Sequence, residues 1–278
     1  MTSDVSRDGA WPRPRLWAGA AALVLVVVGA CGGPDRSTDD DRSTVTTTVP
    51  QPSTTGSISA DPAGPEPPPA TGEECLAPAD DADQAWFGPG RKLGGYVIGS
   101  GSRWVVLGHQ SDGTSCQMLP IGRQLVRAGY RVIAIDFSGR GSSVQSDADH
   151  ALSADVVAAV QYAAAHGASE VALLGASLGG YAVLGSAPEL GDRVGAVVSL
   201  SAPSDYPDGG STVSLSGVTT PVLLYVGRDD LSFVGPNQDF ARQDPDAVLH
   251  VLPTSSHGVE LADEAVLAGI LRFLDQSL

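Results

Sequence analysis

The chain has 278 residues, enough for one large domain or two small ones. Hydrophobic residues make up 42% of it, an ordinary share for a chain that folds around its own core. Its formal charge of −16 argues against a nucleic-acid partner, because neutralising phosphates takes clusters of Lys and Arg. The three cysteines, Cys31, Cys75 and Cys116, lack metal-ligand spacing, so neither a metal nor an organic cofactor is expected.

Arg7, Arg13 and Arg15 precede an uncharged run from Leu16 to Ala30. The run is short for a membrane span and has the length of a secretion signal's apolar core. It ends in Val28-Gly29-Ala30-Cys31, which resembles a bacterial lipobox. That resemblance implies cleavage after residue 30, lipidation of the Cys31 thiol and often acylation of the new amino group. The mature chain would be held outside the cytoplasm on the cell membrane, since two acyl signals suffice for stable anchoring. An ordinary signal peptide and an uncleaved anchor are the alternatives. Residues 31–72 follow as Ser, Thr, Pro, Gly and Asp with almost no large apolar side chain. Such a segment buries too little surface to offset its ordering entropy, so it reads as a solvated tether.

The folded domain is expected over 73–278. Export would place Cys75 and Cys116 in an oxidising compartment, where an even pair usually bonds; two separate thiols are the alternative. Such a bridge would pin the domain's start onto the loop after an early strand. Short β-rich runs then alternate with helical ones. Strands are predicted at Gly94–Ile98, Arg103–Leu107 and Arg131–Ile135, with a helix over Met118–Ala128 between the last two. Ser153 reads as the N-cap of a helix through Ala164, with Gly167 just past its end. A strand at Val171–Gly175 leads into a helix from Leu178 to about Pro188. Strands at Val194–Leu200, Val222–Val226 and Val248–Leu252 follow, and a last helix covers roughly Glu260–Leu274. Continuous apolar strands alternating with helices mean a mostly parallel sheet covered on both faces.

Gly175-Ala176-Ser177-Leu178-Gly179 is a G-x-S-x-G sequence at the end of a predicted strand and the start of a predicted helix. In that context it is a nucleophile elbow, a sharp turn that strains the serine and needs glycine two residues to either side. Ser177 is thus the candidate nucleophile. The backbone N–H of Leu178, at the helix N-terminus, is a candidate oxyanion donor.

A serine hydroxyl needs a base, and the base needs a carboxylate to orient it. His150 and His166 fall near helix ends and His250 inside a strand. His257 lies in a polar loop between the last strand and the last helix, at the carboxyl edge of the sheet where open α/β folds place their sites. The run Gly227-Arg228-Asp229-Asp230 ends the preceding strand, and either aspartate could reach. Serine, aspartate, histidine is the chain order of the α/β-hydrolases.

With these residues in place, the span from about 93 to 274 resembles an α/β-hydrolase of the dienelactone-hydrolase-like group. Members often read G-x-x-D after the penultimate strand, as in Gly227 to Asp230, which favours Asp230 over Asp229. His257-Gly258 and the D-x-x-G-x-G run from Asp136 to Gly141 fit the same pattern. Dienelactone hydrolases themselves use cysteine, so their substrate does not carry over to a serine. Members usually read His-Gly-x after the third strand, the last residue giving the second oxyanion N–H. Here the run is His109-Gln110-Ser111, which makes Ser111 the donor by position and Gln110 the alternative, with His109 fixing the backbone. The resemblance implies an α/β-hydrolase fold and a carboxylesterase that works through an acyl-enzyme. Residues 201–221 replace the lid common in the family with a Ser-, Gly-, Asp- and Pro-rich stretch. Small or exposed acyl substrates are therefore expected over long lipids, acted on by a monomer. A peptidase, a thioesterase, a deacetylase, or a non-catalytic binding lipoprotein that keeps the fold are the alternatives.

Overall fold

A computed structural model describes residues 75–146, 150–207 and 211–278. The expected signal peptide (1–30), the lipidated Cys31 and the tether (31–72) lie outside the described residues.

Eight strands form one sheet: β1 (Asp83–Phe87), β2 (Leu93–Ile98), β3 (Arg103–Gly108), β4 (Arg131–Ile135), β5 (Glu170–Ala176), β6 (Ala196–Leu200), β7 (Val222–Gly227) and β8 (Val248–Leu252). Their order across the sheet is β1-β2-β4-β3-β5-β6-β7-β8. The β1–β2 and β2–β4 pairs are antiparallel, and all the others are parallel. The described residues also form five α-helices: α1 (Ser115–Arg127), α2 (Leu152–Ala165), α3 (Leu178–Leu190), α4 (Leu231–Gln243) and α5 (Glu264–Ser277).

Past their first residues the central strands are apolar except for Ser199 of β6, because both faces are covered. Trp104 and Val106 of β3, Ile133 and Ile135 of β4 and Leu173 of β5 turn to one face, where they pack with Val156 and Val160 of α2, Val183 and Leu184 of α3 and Phe240 of α4. Alternate residues such as Val105, Leu107, Val132 and Leu174 are equally buried and supply the opposite layer. Helices α1 and α5 touch each other, α1 packing against β2, β3 and β4 and α5 against β6.

Cys75 and Cys116 form a disulfide with 5.6 Å between their Cα atoms. Cys116 sits in the first turn of α1 rather than in the loop before it, so the bridge fastens the domain's start directly to a helix. Arg123, two turns along α1, reinforces that junction by donating to both Asp80 carboxylate oxygens at 2.7 Å and to the Cys75 carbonyl at 2.8 Å. The bonded guanidinium holds the Asp80 carboxyl down to about 2.

Two elements depart from the sequence expectations. Helix α2 begins at Leu152 with Ala151 as its N-cap, and Ser153 lies inside the first turn rather than capping it. The last helix starts at Glu264, with Asp263 as a true N-cap accepting from the Val266 N–H at 2.9 Å; residues Gly258–Leu261 form a separate short 3-10 turn. Strand β1 and helix α4 are additions. Among the described residues of 201–221 there is no helix or strand, so no lid element stands between β6 and β7.

Candidate active site

Ser177, Asp230, His257, Gln110 and Ser111 all lie in loops that leave the C-terminal edge of the parallel strands. Ser177 follows β5 and caps α3 with φ 51° and ψ −112°, a left-handed geometry that side-chain-bearing residues rarely adopt. Its N–H donates to the Leu200 carbonyl at 2.8 Å, which ties the turn to the end of β6. The flanking glycines are needed sterically. A Cβ on Gly175 would lie 2.1 Å from the Gly179 carbonyl oxygen, and one on Gly179 would lie 2.1 Å from the Gly108 carbonyl oxygen at the end of β3. The second contact shows how closely the elbow approaches the loop that begins at His109. Leu178 opens α3, so its N–H has no acceptor within the helix.

His257 and Asp230 meet: Nδ1 of the imidazole lies 2.8 Å from Asp230 Oδ2. A carboxylate only accepts, so Nδ1 carries the proton of this bond and Nε2 lies outside it. Asp229 is turned outward, its side chain 61% exposed beside Arg228. The pairing therefore belongs to Asp230, whose carboxylate sits at the start of α4. Phe233, the third residue of the same helix, has its ring centroid 4.1 Å from that of His257. Leu231, 81% exposed, extends this apolar rim. Asn237 fixes the helix from below, its Nδ2 donating to the Ala202 carbonyl at 2.9 Å.

The loop after β3 is held at four points. His109 is fully buried, with Nδ1 2.6 Å from the Gln110 carbonyl oxygen and Nε2 accepting from the Phe137 N–H at 3.2 Å. One partner only accepts and the other only donates, so the ring is the neutral Nδ1–H tautomer. Burial agrees, pushing its pKa down to about 4. The Gln110 N–H donates to Oε1 of Gln117 on α1 at 2.9 Å. Gln110 Oε1 accepts from the Val259 N–H at 2.7 Å, and an Arg140 guanidinium N–H donates to the Ser111 carbonyl. Of the two residues considered as second oxyanion donor, Gln110 has its N–H engaged by Gln117, whereas that of Ser111 is the next along the loop.

Asp136, first residue of the D-x-x-G-x-G run, organises the neighbouring loop. Its Oδ1 accepts from the Ser115 N–H at 2.6 Å at the start of α1, and its Oδ2 from the Ser142 N–H and hydroxyl at 2.9 and 2.7 Å. The remaining histidines lie apart. His166 stacks on Tyr162, His250 stacks on Tyr225, and His150 Nε2 is 2.5 Å from Oδ1 of the buried Asp155. Desolvation raises the Asp155 carboxyl. A cleft of about 330 Å³ beside α3 is lined by Ala151, Ser153, Tyr181, Pro188 and Val213 and by none of Ser177, Asp230 and His257. Among the described residues, no group of His, Cys, Asp and Glu is arranged to hold a metal ion.

An eight-stranded, mostly parallel sheet with a strained serine after β5, a carboxylate after β7 and a histidine after β8 is the α/β-hydrolase fold. A family model described as alpha/beta hydrolase fold matches residues 107–216. Among solved structures, the chain is similar to a protein from Thermoplasma acidophilum described as a predicted CIB-like hydrolase, at 20% identity, covering 71% of this chain and 99% of that one with a TM-score of 0.58. An esterase from Exiguobacterium antarcticum aligns at 18% identity over 66% of this chain and 96% of its own, TM-score 0.56. A dienelactone hydrolase from Anabaena variabilis aligns at 21% identity over 70% and 96%, TM-score 0.52. No curated protein matches the chain.

Proposed function

We propose that the chain is a serine hydrolase, a carboxylesterase of small or exposed acyl esters, tethered outside the cytoplasm through lipidated Cys31. The observation that carries the proposal is the 2.8 Å bond from His257 Nδ1 to Asp230 at the sheet edge that also presents the strained Ser177. With its Nδ1 proton committed to the carboxylate, the imidazole offers Nε2 as general base. Ser177 Oγ attacks the ester carbonyl as Nε2 takes its proton. The tetrahedral oxyanion is met by the N–H groups of Leu178 and Ser111. Collapse expels the alcohol, which takes the proton back from Nε2 and leaves an acyl-serine. Water, deprotonated by the same nitrogen, then attacks the acyl carbonyl and releases the acid and the free serine.

Ester cleavage by the structural neighbour from Exiguobacterium antarcticum, named as an esterase, supports the reaction class. The lack of a lid element among the described residues of 201–221, together with the exposed Leu231 at the rim, favours short acyl groups that need no enclosed tunnel. The test is hydrolysis of p-nitrophenyl acetate and labelling by a fluorophosphonate probe. Wild type should do both and Ser177→Ala neither. A chain that ignores the probe would instead be a binding module on this fold. Anchoring is tested separately: Cys31→Ala should move the protein from the membrane fraction to the soluble one.

A further inference from the structure

We infer that Gln110 is a positioning residue that locks the oxyanion-side loop to the loop carrying His257; the inference rests on the hydrolase reading above. Three groups of this one residue are held at once, the carbonyl within its own loop and the other two by distant elements. The N–H goes to Gln117 on α1, the carbonyl to the buried His109 ring, and the side-chain Oε1 to the Val259 N–H, 149 residues away in sequence. Because Oε1 accepts from a backbone N–H, the amide's orientation is fixed.

Gly258 is shaped to receive this side chain. It has φ +56°, and a Cβ built on it would fall 1.7 Å from Gln110 Oε1. Any other residue at 258 would expel the glutamine amide from its place. The glycine next to the candidate base thus serves two needs at once, a left-handed backbone and a bare surface for Gln110 to rest on.

The clasp bears on chemistry through a shared peptide plane. The Gln110 carbonyl and the Ser111 N–H belong to one trans peptide and point in opposite directions. His109 Nδ1 at 2.6 Å and the Gly113 N–H at 3.1 Å both donate to that carbonyl, so the Ser111 N–H on the same peptide faces the opposite way. Arg140, donating to the Ser111 carbonyl, fixes the next peptide as well. The Gln110 side chain then sets the separation between this aimed donor and the His257 loop. Base and oxyanion donor approach the same reacting carbonyl and must keep their spacing to a fraction of an ångström.

The experiment uses the full chain and two variants. Gln110→Met keeps the length and removes the acceptor, while Gln110→Glu keeps an acceptor oxygen in the same place. Amide hydrogen exchange at Val259 reports the clasp itself. Steady-state hydrolysis of p-nitrophenyl acetate reports its consequence. In Gln110→Met, Val259 exchange should rise to that of an unbonded loop amide, and kcat should fall by about tenfold or more with KM within about twofold of wild type. Gln110→Glu should restore the protection and most of kcat. Wild-type-like protection at Val259 in Gln110→Met, or an unchanged kcat despite lost protection, overturns the inference. A wild-type chain inert toward both ester and fluorophosphonate overturns the hydrolase reading instead, and the exchange data still decide whether the clasp exists.

Discussion

Replacing Ser177 by glycine should yield a protein more stable than one with alanine there, although both lack the candidate nucleophile. At φ 51° and ψ −112° any side chain carries strain, which for a non-glycine residue in such a region costs roughly 1–3 kcal/mol. Alanine keeps the Cβ and hence the strain. Glycine relieves it but gives back about 0.5–1 kcal/mol through the greater freedom of its unfolded chain. The net advantage of Ser177→Gly over Ser177→Ala is therefore about 1 kcal/mol, which for a domain of this size raises Tm by about 2–4 °C. The hydroxyl is absent from both variants, so its loss cancels and the comparison isolates the Cβ at this buried position. Urea unfolding followed by far-ultraviolet circular dichroism gives the comparison directly. If the glycine variant proves equal to or weaker than the alanine variant, the turn is not strained and the account of why glycine flanks it fails.

Three further outcomes follow from the geometry. Asp230→Asn should lower kcat for p-nitrophenyl acetate by up to about 10⁴-fold with little change in KM, since the asparagine amide no longer fixes the imidazole's tautomer; Asp229→Asn should leave kcat within twofold, and the pair of variants measured side by side tests the assignment. Removing the Cys75–Cys116 bridge, whose partners are 41 residues apart, should cost about 4 kcal/mol of stability on the chain-entropy account, read as a shift in the guanidinium midpoint of the double serine variant. Asp80 is held to about 2 by Arg123, below its ordinary 3.8, so the stability it contributes is complete above pH 4 and is lost as pH falls toward 2; Asp80→Asn should flatten that acid limb of the urea midpoint.

The elements legible in the sequence were those whose pattern is set by burial. Strands β3, β4, β5 and β7 read as apolar runs because helices cover both faces, and the elbow reads as such because glycine stands at the two positions where a Cβ would fall 2.1 Å from a backbone oxygen. Strand β1 escaped because Asp-Gln-Ala-Trp-Phe lies at a sheet edge, with its first two residues exposed. Helix α4 escaped for the opposite reason. Gly235 and Pro236 stand in its middle, where each normally ends a helix, and it buries only Asn237 and Phe240. Yet α4 supplies the ring of Phe233 against His257, so the rim of the site was invisible along with it. Ser153 looked like a cap by residue type, and nothing in its neighbours revealed that the chain enters α2 two residues earlier. The role of Gln110 was beyond any local pattern, since its partner Val259 is set by tertiary closure alone.

The way these supports converge bears on why the site can dispense with a lid. Helix α1 begins at the point where the disulfide enters through Cys116, where Asp136 accepts from the Ser115 N–H, and where Gln117 receives the Gln110 N–H. The loop that would supply the second oxyanion donor is therefore tied within two residues to a covalent cross-link. It is tied again through Gln110 to the loop of the base, and through the approach of Gly179 to Gly108 it lies against the elbow of the nucleophile. A lid commonly does two things, excluding water and completing the arrangement of groups when substrate arrives. Here the second task is met by bonds already made in the free chain, beside described residues of 201–221 that form no helix or strand.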